Sequence, residues 1–333
     1  MIERKRQDPL RRFAPTPLEA DLQVMGRTIR LATNSRLVLD QAVQFLARYA
    51  ATPQGAPEFL WRIVSQARAG VAPPWPEISA FSEDGLRLIS IGQHSFLGVD
   101  LKRREAVGIL AEALVSDAGG FCTPFLDDLF LLTAGSLRLV PIAAACVAQG
   151  ERGLLIFGPP NSGKTTSSYL AAKLGLEFHA DQAVFLERQA GRLLAWGDFL
   201  PAVFRPEALR YIPELSTLTS PFHYRQLTFH YLDKNYLQPK RAHPVLPVGC
   251  VFLARRQAQA PFLEPLSGDG FSCRLADSQL FKDDERFEDQ RATVLDALGK
   301  LPAYRLAYGS DPNEVAPLLR NILIHEVSLG SQE

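Results

Sequence analysis

Cysteine is scarce in this 333-residue chain, and Cys122, Cys146, Cys250 and Cys273 stand far apart with no C-x-x-C pair. That spacing excludes a zinc knuckle and a disulfide framework, and it fits a reducing cytosol, the expected location. Net charge is absent as well, with 36 Lys and Arg against 36 Asp and Glu. A balanced charge gives no reason to expect nucleic acid or an anionic membrane as the main partner. Lysine is rare, at 8 residues against 28 arginines, a bias to which we attach no functional weight. Long apolar runs are missing: the longest clean one, Leu139 to Ala148, is too short to span a bilayer. The N-terminus is basic, but Phe13-Ala14-Pro15-Thr16-Pro17 follows where a signal peptide needs an apolar stretch, so none is expected.

What is present is an ordinary globular composition, 47% hydrophobic and 22% charged, which excludes a disordered chain, a collagen and a coiled-coil rod. The length suggests two domains. Residues 1–119 read as a small α+β module rich in antiparallel strands. It has a strand over Leu22 to Ala32, then a helix capped by Asn34 or Ser35 and running to about Tyr49. A strand from Phe59 to Val64 and a loop from Gly70 to Pro76 come next. Ile78–Phe81, Leu86–Ile91, Ser95–Leu101 and Ala106–Leu110 are short strands with tight turns, the clearest at Glu83-Asp84-Gly85. Gly119-Gly120 is the best break, and residues 120–333 form the second domain. There Pro124 to Leu132 reads as a helix, Leu137 to Val147 as an apolar, Ala-rich run, and Leu154 to Phe157 as a buried strand. Lys282 to Arg291 reads as a solvated helical face, and Glu314 to Val327 as a helix packed on the sheet.

The chemistry begins at Gly158-Pro159-Pro160-Asn161-Ser162-Gly163-Lys164-Thr165, which fits the P-loop pattern G-x-x-x-x-G-K-[ST]. With 23 Gly and 8 Lys, a chance match in the chain is on the order of 0.5%. The context is the required one, a buried strand before the loop and a helix, Lys164 to Leu174, closed by Gly175 after it. Successive N–H groups at a helix N-terminus make an anion site. Two prolines cannot donate, so the cradle should come from residues 161–166: Asn161, Ser162, Gly163, Lys164, Thr165 and Thr166, with Gly158 opening the loop. Lys164 is expected to reach the phosphates, and the Thr165 hydroxyl to bind Mg²⁺.

Leu176 to Ala180 reads as the next strand, and Asp181 ends it, where a carboxylate beside a P-loop can hold the metal. Ala183 to Leu186 and Leu193 to Trp196 then form a hairpin around Gln189-Ala190-Gly191, which predicts a mixed sheet. His179 could share a face with Asp181, although a lone strand histidine is more often packed. Arg205, Arg255 and Arg256 could reach phosphates.

Four segments resemble the HPr kinase/phosphorylase-like group, relatives of ATP-dependent phosphoenolpyruvate carboxykinases, and look most like its shorter HprK-related kinases. They are Pro141 to Val147, the P-loop, Phe178 to Leu186, and Leu301-Pro302-Ala303-Tyr304-Arg305-Leu306. The likeness covers roughly residues 120–333. It implies an α/β fold, a P-loop core of the HPr kinase/carboxykinase type with a mixed sheet. It also implies an ATP-dependent kinase using Mg²⁺ to phosphorylate a hydroxyl on a protein, peptide or small molecule; a homo-oligomer is compatible with it. Carried over by position, Lys164 contacts phosphate and Thr165 stands where the family has a Mg²⁺-binding Ser or Thr. Lys164, Asp181 and Gln182 are the catalytic candidates. Ala143 stands where relatives often have a His, and Gln182 where they have a second Asp that acts as general base. The alternative is therefore a nucleotide-binding regulatory module without turnover.

Overall fold

The computed structural model describes residues 14–49, 55–67, 78–83, 86–91, 94–117, 121, 125–198, 202–224, 227–232, 243–255, 260–266, 269–276, 288–309 and 311–329. The chain forms two compact units, Met1–Leu137 and Arg138–Glu333. Gly119-Gly120, the 70–76 loop and most of the Lys282–Arg291 stretch lie outside the described residues. No described helix is long and apolar enough to cross a membrane.

The first unit is built on a seven-stranded sheet. Its strands are β1 (Leu18–Val24), β2 (Arg27–Thr33), β3 (Phe59–Gln66), β4 (Ile78–Glu83), β5 (Leu86–Ile91), β6 (Ser95–Asp100) and β7 (Glu105–Ala111). They lie in the order β1-β2-β3-β7-β6-β5-β4. Four pairings are antiparallel, as expected, but β2–β3 and β3–β7 are parallel. The helix Arg36–Leu46 crosses over between β2 and β3. Ser35 caps it, its Oγ accepting from the Val38 N–H at 3.4 Å, and Val38, Leu39, Ala42 and Leu46 face the core. The single strand expected over Leu22 to Ala32 is in fact two. Met25 and Gly26 both take positive φ, 48° and 75°, and fold it into a tight hairpin. An apolar residue in the turn hid that break from periodicity.

Asp128 lies in the buried helix Asp127–Ala134, where burial pushes its carboxyl up to about 6 from 3.8. Between those values the native state holds the proton and the unfolded chain releases it, so stability falls as pH rises from about 4 to 6. Asp128→Asn should abolish that slope and stabilise the protein at pH 7 by about 2–3 kcal/mol. Urea melts of both proteins at pH 4.5 and 7 check this; parallel pH dependences would refute it.

Among the described residues the second unit carries twelve strands. They are β8 (Val140–Ile142), β9 (Ala145–Gln149), β10 (Arg152–Phe157), β11 (Glu177–Ala180), β12 (Val184–Gln189), β13 (Arg192–Gly197), β14 (Ala202–Phe204), β15 (Ser220–Tyr224), β16 (Leu227–Leu232), β17 (Leu246–Arg255), β18 (Phe262–Leu266) and β19 (Ala303–Tyr308). The main sheet has the order β11-β9-β10-β17-β19-β18; β10–β17–β19 run parallel and the flanking pairs are antiparallel. The mixed sheet is therefore present. Alternate residues of β10 and β17 fill opposite layers, which is why both strands are free of charge between Arg152 at the start of one and Arg255 at the end of the other. Leu154, Ile156, Val251 and Leu253 pack under the helices Lys164–Lys173 and Val315–Leu329. Leu155, Phe157, Cys250 and Phe252 face the helices Asp269–Ala276 and Glu288–Leu298, with Phe157 stacked on Phe252 at 4.8 Å.

Two small sheets also lie among the described residues of the unit, β13-β12-β8 and β14-β16-β15. The apolar run Leu137 to Val147 thus splits between sheets. Ala143 sits half-buried in the bend between β8 and β9, not inside a buried strand. Asp181, Gln182 and Ala183 form the matching corner from β11 to β12. The hairpin β12–β13 turns through Ala190 and Gly191 at φ 49° and 79°.

Candidate functional site

The P-loop lies at the C-terminal end of β10, where the parallel strands β17 and β19 also end. Ligands of open α/β sheets bind at that edge. The loop closes tightly: the Ser162 N–H donates to the Pro159 carbonyl at 3.1 Å, and the Ser167 N–H to the Gly163 carbonyl at 2.9 Å. Asn161 and Gly163 adopt positive φ, 67° and 85°. Gly163 is the N-cap of the helix Lys164–Lys173, which ends as expected, with Gly175 at φ 95° just beyond.

The Lys164 ammonium folds back over its own loop. It donates to the Gly158 carbonyl at 2.7 Å and the Pro159 carbonyl at 3.2 Å. Burial lowers its pKa, and the nearby Asp181 carboxylate opposes that shift. Asp181 is buried at the end of β11, and its Oδ2 accepts from the Val203 N–H at 3.4 Å.

A cavity of about 460 Å³ opens beside the loop, within the range of small-molecule sites. Residues 161–166 form one wall, and Arg205, Tyr211, Phe229, Arg255 and Tyr308 stand on the others. Among the described residues Lys164, Arg205 and Arg255 bring three cationic groups, against one lining carboxylate, Glu207. The Ser162 Oγ is buried and has no hydrogen-bond partner among the described residues.

The sequence-predicted residues divide. Asn161, Ser162, Gly163, Lys164, Thr165 and Thr166 line the cavity together with Arg205 and Arg255. Gly158, Asp181 and Gln182 do not line it. The Gln182 side chain is exposed, while its N–H and that of Ala183 are held by Asp198 Oδ2 at 2.9 and 3.1 Å. His179 is packed away, with Nε2 3.1 Å from the Ala195 carbonyl. Arg256 lies outside the described residues.

No family model matches the chain, and no curated protein matches it. Among solved structures it is similar to the Hpr(Ser) kinase/phosphatase from Coxiella burnetii. That alignment covers 58% of this chain and 92% of the other, at 12% identity and a TM-score of 0.31. The likeness is distant, and the reading of the site rests on the site's own geometry.

Tyr308 and Asp198 carry no sequence signal of their part here. Tyr308 lies 146 positions from the loop it touches, and Asp198 reaches the Asp181 corner from beyond the hairpin β12–β13. Neither belongs to a local pattern that could have marked it.

Proposed function

We propose that this cavity binds ATP with Mg²⁺ and that the protein is an ATP-dependent kinase acting on a hydroxyl of a protein, peptide or small molecule. One observation carries the reading: a P-loop in strand–loop–helix context forms the wall of a cavity with three cationic side chains. A polyphosphate fits that chemistry. The Ser162 hydroxyl is buried and unpartnered, and the N–H groups of residues 161–166 are clustered at a helix N-terminus.

No cluster of three or more His, Cys, Asp or Glu exists among the described residues. Mg²⁺ does not need one, since it is commonly held by one or two carboxylates together with substrate phosphates. Thr165 on the cavity wall and Asp181, off that wall but close enough to act on the Lys164 ammonium, are the residues that would hold it, and bound there it would neutralise charge on the transferred phosphoryl group. Lys164 would leave its two loop carbonyls for the phosphates, and Arg205 and Arg255 would face the remaining charge.

A second reading has its own support. The exposed side chain of Gln182, outside the cavity wall, favours a module that binds nucleotide without turnover. ATP consumption and labelled-phosphate transfer, with cell extract as the acceptor source, separate the two. Because its side chain faces solvent, Gln182→Asp is expected to leave turnover within about threefold of native at equal nucleotide saturation. A positioned general base is worth roughly 10²–10⁴-fold, so a rise of that order in the variant would favour the module that has lost its base. A large fall would instead place Gln182 in the chemistry.

A further inference from the structure

A loop of peptide units presents an anion with N–H groups or with carbonyl oxygens; the first attract it and the second repel it. The C=O and N–H of one trans peptide point in opposite directions, so the tilt of the peptide plane decides which faces a ligand. At the Ser162–Gly163 peptide one side is already taken. The Tyr308 hydroxyl donates to the Ser162 carbonyl at 2.6 Å, in a buried bond. Gly163 alone cannot hold that plane, because glycine visits both signs of φ at little cost.

Tyr308 is itself well fixed. It is 2% exposed, and the register of β17 and β19 sets it opposite Arg255. Burial raises its hydroxyl pKa, which keeps the proton on the oxygen at neutral pH. A Cβ on residue 163 would overlap that hydroxyl, so the glycine and the tyrosine are matched to each other.

We infer that Tyr308 is a positioning residue, locking the Ser162–Gly163 peptide with its carbonyl engaged and its N–H left for an anionic ligand. The inference rests on the phosphate-binding reading of the cavity. Without the hydroxyl, the plane is free to turn and present its carbonyl to the ligand.

The test uses inorganic tripolyphosphate as probe and Tyr308→Phe, which keeps the ring and drops the hydroxyl. Affinity should fall roughly tenfold to a hundredfold, the scale of one buried polar group losing its partner. In the apo protein the Gly163 amide should give one ¹⁵N resonance in the native chain and a doubled or broadened one in the variant. A tyrosine that merely stabilises the fold would lower the apo melting temperature and leave the tripolyphosphate constant unchanged, which overturns the inference. If the native protein binds no tripolyphosphate, the nucleotide reading fails by itself. The Gly163 amide then decides: a single sharp line in Tyr308→Phe overturns the lock and a doubled line upholds it. Should Tyr308→Phe not fold, Gly163→Ala displaces the hydroxyl from the other side. Undiminished tripolyphosphate affinity in that variant overturns the inference; because alanine at this positive φ also strains the loop by itself, a fall supports it only if Tyr308→Phe added to Gly163→Ala causes no further fall, and a further fall overturns it.

Discussion

Mg-ATP at about 100 times its Kd should stabilise the native protein by roughly 2.7 kcal/mol, and Lys164→Ala should lose most of that gain. For a unit of this size the shift in melting temperature is about 5–10 °C. Without nucleotide, the substitution should cost little. The Lys164 ammonium lies half-buried against two loop carbonyls, and that partial burial already disfavours its charge. Alanine removes that desolvation penalty together with the two hydrogen bonds. The measurement is a pair of thermal melts with and without Mg-ATP. An unshifted native melt would sink the nucleotide reading, and a full shift in Lys164→Ala would remove Lys164 from the site.

Asp198→Ala should be among the most destabilising single changes in the second unit. One buried carboxylate oxygen accepts from two N–H groups at the corner between β11 and β12, at 2.9 and 3.1 Å. Truncation leaves both without that acceptor. At about 1–3 kcal/mol for each unsatisfied group, the loss comes to roughly 3–5 kcal/mol. Asp198→Asn keeps an oxygen in place and should cost about 1–2 kcal/mol. Chemical denaturation of the three proteins checks the order. A loss below about 1 kcal/mol in Asp198→Ala would mean that water replaces the carboxylate without penalty. The consequence reaches the site, because the same corner carries Asp181.

What could be read from the sequence was local. The P-loop, its helix and the glycine closing it occupy one continuous stretch, and each is specified by neighbouring residues. The Ser35 cap, the Ala190-Gly191 turn and the C-terminal helix were legible for the same reason. Sheet membership was not. The run through Ala143 is apolar on both sides of its bend, so nothing in its pattern shows β8 pairing with β12 while β9 pairs with β10. Parallel pairing in the first unit was hidden because alternation along a strand does not encode the direction of its neighbour. The far walls of the cavity, Tyr211, Phe229 and Tyr308, come from elements that meet the loop only in the folded sheet.

The parallel core β10–β17–β19 also sets an order of events during synthesis. Ile156 waits for Val251 and Val251 for Tyr304, so the ribosome makes about 150 further residues between the glycine loop and the strand that completes its sheet. At 5–20 residues per second, a nascent chain carries an unfinished loop for roughly ten to thirty seconds. Once β17 is made it has no β19 on one side, and Leu253 and Val251 lack the helix Val315–Leu329 that later covers them. A nascent chain stalled before β19 therefore holds the whole glycine-rich motif but not the hydroxyl that pins it. The wall of the cavity thus takes its final shape only after β19 has been made, which ties the geometry of the glycine loop to a late step in the synthesis of the second unit.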